Sequence, residues 1–81
     1  MVVKIIAVKK EQGILAPYWE FNFSLCEEPT HSAQDTLSLD EVIALADRPD
    51  TGAVFDMCRA IKGTPYTEFG SLVGRMFESS L

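Results

Sequence analysis

The hydrophobic pattern of this chain changes period once, near Thr36. Before that point apolar and polar residues tend to alternate, the mark of strands; after it apolar residues recur at helical spacing. Val2 to Val8 is rich in β-branched residues and apolar on both parities, which predicts a strand covered on both faces. Lys9-Lys10-Glu11-Gln12-Gly13 reads as a polar hairpin turn, with Gly13 at positive φ. From Leu15 the alternation is clear: Trp19, Phe21, Phe23 and Leu25 point one way, Tyr18, Glu20, Asn22 and Ser24 the other. Pro17 has no N–H to give a ladder, so it marks an edge, a bulge or the start of this second strand.

Cys26 to Leu37 has the composition of a loop, with Pro29 among Ser, Thr and acidic residues. Ser38-Leu39-Asp40-Glu41 then fits a capping box, in which the Ser38 hydroxyl accepts from the Glu41 amide and the Glu41 carboxylate from the Ser38 amide. Leu39, Val42, Ile43 and Ala46 follow as one helical face, and Arg48-Pro49 stops the helix. A second helix starts from Asp50 or Thr51 and buries Val54, Phe55, Cys58 and Ile61 before Gly63 ends it. Thr64-Pro65 opens a third, with Phe69, Leu72, Val73, Met76 and Phe77 as its stripe. On that helix Gly70 and Gly74 stand one turn apart, as a close approach of another backbone would require. The expected fold is therefore α+β, one small domain over residues 1–81, with an N-terminal antiparallel β-hairpin packed on about three short C-terminal helices. A lone hairpin is marginal in water, so its free edges, or helix three, are candidate homodimer contacts.

Composition bounds this picture without sharpening it. Hydrophobic residues make up 47% of the chain and charged residues 23%, ordinary for a folded domain. No stretch approaches the length of a membrane span, and the apolar N-terminus is broken by Lys4 and lacks a small-residue cleavage site. Two cysteines are too few for a secreted disulfide framework, which points to a reduced, cytoplasmic protein.

Charge is more informative. Between Glu20 and Asp50 lie eight of the twelve carboxylates and a single cation, Arg48, a segment net of −7. Such a field favours a basic partner and disfavours the phosphate backbone of nucleic acid. Asp40 and Glu41 have a local task at the start of helix one, and Asp50 is a cap candidate for helix two. Asp47 lies near the C-terminus of helix one, where its charge is mildly unfavourable. Glu20, Glu27, Glu28 and Asp35 remain to face another molecule, with Tyr18 beside Glu20 on the outward strand face supplying apolar contact area.

Catalytic chemistry finds little to build on. His31 is the only histidine, and its neighbours Ser32 and Asp35 share its loop, where triad geometry is seldom held. Cys58 falls on an apolar helical stripe and reads as a core residue. Glu27, Glu28, His31 and Asp35 are the one cluster of metal-ligand types, with a spacing that matches neither an EF-hand loop nor a zinc motif. No metal, cofactor or catalytic residue is therefore expected. The sequence points to a small non-catalytic protein, an inhibitor, adaptor or regulatory subunit, that engages a basic surface on a partner protein. By analogy with phage-encoded inhibitors, such a protein can occupy the nucleic-acid site of its target. The alternative is a small dimeric transcriptional regulator with a helix-turn-helix-like segment at 39–62, in which helix two offers Arg59 and Lys62 to DNA. A third reading is an enzyme accessory subunit.

Overall fold

The computed structural model describes residues 1–28 and 31–79, the side chains of Glu28 and His31 excepted. The fold is α+β: N-terminal strands are followed by helices that cover one face of the sheet. Strands β1 (Val2–Gln12) and β2 (Pro17–Glu28) form a long antiparallel hairpin. Two further strands flank it, β3 (His31–Ser38) beside β2 and the short β4 (Met76–Glu78) beside β1, in the order β3-β2-β1-β4. Helices α1 (Leu39–Ala46) and α2 (Ala53–Lys62) and a 3-10 helix (Tyr66–Leu72) make the second layer.

The apolar double parity of Val2 to Val8 has a different cause from two covered faces. The β1–β2 register shifts between Ile5 and Ala7, so a bulge at Ile6 switches which parity looks inward. Val3 and Ile5 are fully buried, and beyond the bulge Val8, opposite Phe21, packs against the same core. The opposite face of the hairpin holds Lys4, Lys9, Glu11, Tyr18, Glu20, Asn22 and Ser24, and no described element lies across it. One face of this antiparallel sheet is covered and the other is wet.

The hairpin turn lies further along than the sequence suggests. Residues 9–12 continue β1, and Gly13–Ala16 makes the reversal, with the Gly13 amide donating to the Ala16 carbonyl at 3.1 Å. Gly13 is not at positive φ. It is required for space instead, since a Cβ there would stand 2.4 Å from the Ala16 oxygen. Pro17 is the first residue of β2, paired with Gln12.

Most of the segment expected as a loop is strand. Ser32, Ala33, Gln34, Asp35, Thr36 and Leu37 pair in register with β2 from Cys26 back to Phe21. The residues carry little β-branched or apolar signal because this is an edge strand: Thr36, Leu37 and Ser38 are half-buried, and residues 32–35 are exposed. A second register shift between Cys26 and Glu28 leaves Glu27 as the bulged residue.

The capping box at Ser38 forms as expected: the Glu41 amide donates to Ser38 Oγ at 3.3 Å, and the Ser38 amide to Glu41 Oε1 at 3.1 Å. Helix α2 starts later than either sequence candidate, one residue beyond Thr51 and two beyond Asp50, after Gly52 at φ 132° and without a side-chain cap. Its buried face is Ala53, Met57, Cys58 and Ile61, with Val54 and Phe55 half-buried.

The third helix is shorter and tighter than its apolar stripe implies. Phe69 and Leu72 are buried from the 3-10 helix, whereas Val73 and Met76 are exposed and Phe77 reaches the core from β4. Gly74 sits at φ +94°, a region in which L side chains are strained, and there the chain turns from helix into strand. Neither Gly70 nor Gly74 has an atom near its would-be Cβ, so no close packing explains the pair. The core is closed by aromatic edges: Phe69 meets Trp19 at 5.1 Å and Phe21 at 5.2 Å between ring centroids.

Candidate functional site

Charge on this fold is sorted by the sheet order. Three of the seven cations are consumed within the helical layer. Lys62 pairs with Asp47, Arg48 Nε lies 2.7 Å from Asp50, and Arg59 lies 3.6 Å from Asp56. Asp47 thus has a partner that its position in the sequence hides: α1 and α2 pack together, and the C-terminal end of α1 meets the C-terminal end of α2. Arg59 also donates to the backbone carbonyls of Arg48 at 2.8 Å and Asp50 at 2.5 Å, clamping the interhelical turn. The two cations a recognition helix would offer to DNA are therefore engaged in holding α1 to α2.

The other four cations, Lys4, Lys9, Lys10 and Arg75, make no ion pair among the described residues. All four are exposed and lie on β1 or at the entry to β4, one side of the sheet. Lys10 rests over the Trp19 ring and Arg75 over Phe77, at 5.8 and 5.2 Å from the centroids.

On the other side, β3 and the first turn of α1 carry Asp35, Asp40 and Glu41, all exposed, with Glu27 exposed at the far end of the β2–β3 ladder. Glu41 is held by its cap and Asp35 Oδ1 accepts from the Thr36 amide at 2.8 Å, but neither makes an ion pair among the described residues. Strand β3 is two strand spacings from β1, about 10 Å. The result is an acidic edge and a basic edge on one small sheet.

The residues expected to contact a partner do not form one compact patch. Tyr18 and Glu20 share the open sheet face at the hairpin-tip end, as their parity indicates. Glu27 is nine positions beyond Tyr18 along β2, about 30 Å away in an extended strand. Glu20 stands directly across from Lys9 on one side and Ser38 on the other, so its charge is partly offset. Asp35 is opposite Phe23, on the parity of the covered face but beyond the helices' reach. The Glu28 side chain lies outside the described residues. What the structure assembles is a line along β3: Asp40 in one cleft with Tyr18 at one end, with Glu41 next to it in α1, Asp35 in the middle and Glu27 at the other.

Each end of that line has a depression. Pro17, Tyr18, Trp19, Ser38, Leu39 and Asp40 line a cleft of about 490 Å³. Met1, Leu25, Glu27, Ser32 and Ala33 line a smaller one of about 240 Å³. Sequence reasoning placed Asp40 only as a helix-start residue, because its proximity to Tyr18 depends on β3 pairing with β2. It also missed Ile14 and Leu15, which are fully exposed at the hairpin tip. Two adjacent aliphatic residues in a tight turn were the available signal, and the misplaced turn concealed it.

Reactive groups are sparse among the described residues. Cys58 is buried, and desolvation raises its thiol pKa above the usual value of 9.0 despite the opposing charge of Arg59. It is therefore a neutral core thiol at physiological pH and a poor nucleophile. No group of three His, Cys, Asp or Glu among the described residues stands close enough to hold a metal ion. Of the cluster considered above, the side chains of Glu28 and His31 lie outside that set. No helix is long and apolar enough to cross a membrane among the described residues. Comparison with protein-family models, curated proteins and solved structures finds no match, so the reading of this site rests on its own geometry.

Proposed function

We propose that this is a small non-catalytic contact protein, an inhibitor, adaptor or regulatory subunit, that docks its β3–α1 edge on a basic surface of another protein. One observation carries the reading: the carboxylates of that edge, Glu27, Asp35, Asp40 and Glu41, make no ion pair with any described cation, while the cations of the helical layer are already paired. An unneutralised line of charge raises the association rate with an oppositely charged surface and sets its register. Tyr18, exposed at one end of the line, and the Ile14–Leu15 tip beyond it provide the apolar area that long residence requires. A reducing, cytoplasmic setting fits the two cysteines, one of them sealed in the core.

The regulator reading loses support from the engagement of Arg59 and Lys62 between the helices. The test is affinity capture from the native host with the wild-type chain and with a Glu27→Lys/Asp35→Lys/Asp40→Lys variant. The expected result is one enriched protein with a basic surface, lost at high salt and at least tenfold weaker with the variant. Undiminished capture by the variant, or salt-insensitive capture, contradicts the proposed edge.

A further inference from the structure

Both edges of the sheet are open, and they carry opposite charge. Beyond Ile5, no described strand pairs with β1 on the β4 side, because β4 covers only Val2–Lys4 and the turn before it reaches only Ile5. The stretch from Ala7 to Gln12 is thus a bare edge. Its last backbone contacts on that side are the Ile5 amide donating to the Arg75 carbonyl at 3.0 Å and the Gly74 amide donating to the Ile5 carbonyl at 2.8 Å. Hydrogen-bonding direction alternates along a strand, and the bulge at Ile6 shifts the outward set to Val8, Lys10 and Gln12. On β3 the outward set is Ser32, Gln34 and Thr36. The Thr36 amide, lacking a strand partner, is satisfied instead by the Asp35 carboxylate.

We infer that the bare β1 edge of one molecule accepts the β3 edge of a second copy, joining the two sheets head to tail. Antiparallel addition must match outward residues with outward residues. Setting Val8 against Thr36, Lys10 against Gln34 and Gln12 against Ser32 places Lys9 directly across from Asp35 and Glu11 across from Ala33. Opposite charges meet and no like charges face each other, the arrangement that favours strand pairing. Like edges fit less well. Two β1 edges in registers centred on Lys9 or Lys10 set a lysine against its own copy, and two β3 edges bring no lysine or arginine to Asp35. Because the two surfaces differ, the contact is heterologous and leaves one free edge of each kind, so the chain extends by open-ended growth and does not close as a two-fold dimer. This inference goes beyond the partner contact proposed above and competes with it, since both occupy the β3 edge.

Sedimentation velocity of the purified chain, without any partner, separates the two. At low salt the weight-average mass should rise past the dimer with concentration, and the rise should vanish at high salt. Val8→Pro removes an outward N–H from one edge and Gln34→Pro from the other, each at a position where β2 takes no bond from it. Each variant alone should stay monomeric, and their equimolar mixture should form a dimer that grows no further. Should either proline variant fail to fold by circular dichroism, Lys9→Glu and Asp35→Lys serve in its place: each monomeric alone, associating when mixed. A wild type that stays monomeric at low salt and high concentration, a closed dimer, or a mixture that never associates overturns the inference.

Discussion

At the residue scale, the two glycines near the C-terminus separate conformational need from packing need. Gly74 occupies φ +94°, where a Cβ is strained whatever space surrounds it, and it is the point at which the chain leaves the 3-10 helix for β4. Gly70 has a negative φ and open space around it. Gly74→Ala should therefore cost about 1–2 kcal/mol. Gly70→Ala should be neutral or stabilising by up to about 1 kcal/mol, through lost freedom in the unfolded chain. Urea denaturation of the two variants checks this. Equal destabilisation would mean that the helix-three packing suggested by their spacing is real after all.

At the element scale, the 3-10 helix is attached to the sheet chiefly through Phe69, whose ring edges meet Trp19 on one side and Phe21 on the other. Phe69→Ala empties the centre of that aromatic group and should cost about 3–5 kcal/mol. Tyr66→Ala, an exposed position three residues earlier, should change stability by less than about 0.5 kcal/mol. Thermal or denaturant unfolding followed by Trp19 fluorescence reads both. Elements with strong local signals were legible in the sequence: the inward set Trp19, Phe21, Phe23 and Leu25, and the capping box that starts α1. Elements whose existence depends on distant partners were not. Strand β3 is polar because nothing covers its edge, β4 is three residues long, and both are specified by pairing with the hairpin. The bulge at Ile6 was also hidden, since its signature, apolar residues on both parities, equally describes a strand buried on two faces.

At the scale of the whole molecule, the fold converts a linear charge imbalance into a lateral one. The acidic stretch from Glu20 to Asp50 is folded so that Lys62 and Arg48 pair with part of its charge, Lys9 stands across the ladder from Glu20, and the remainder lines the β3–α1 edge. Of the expected site, Tyr18 and Glu20 were placed correctly on the outer face by parity alone. That Asp40 joins Tyr18 in one cleft, and that Glu20 faces a lysine, required the strand register. The sheet measures out a long, narrow body of 39 × 27 × 22 Å, so the two edges and the hairpin tip are presented in different directions and can be addressed separately.

The most direct test of the acidic-edge account is site-specific photo-crosslinking in the native host, with a photoreactive residue in place of Gln34 on β3 or, as a control, of Thr67 on the exposed surface of the 3-10 helix. The account predicts a discrete crosslink from Gln34 to a protein with a basic surface, or to a second copy of this chain when the partner is scarce, and none from Thr67. Crosslinks to nucleic acid, or the same products from both positions, would contradict it.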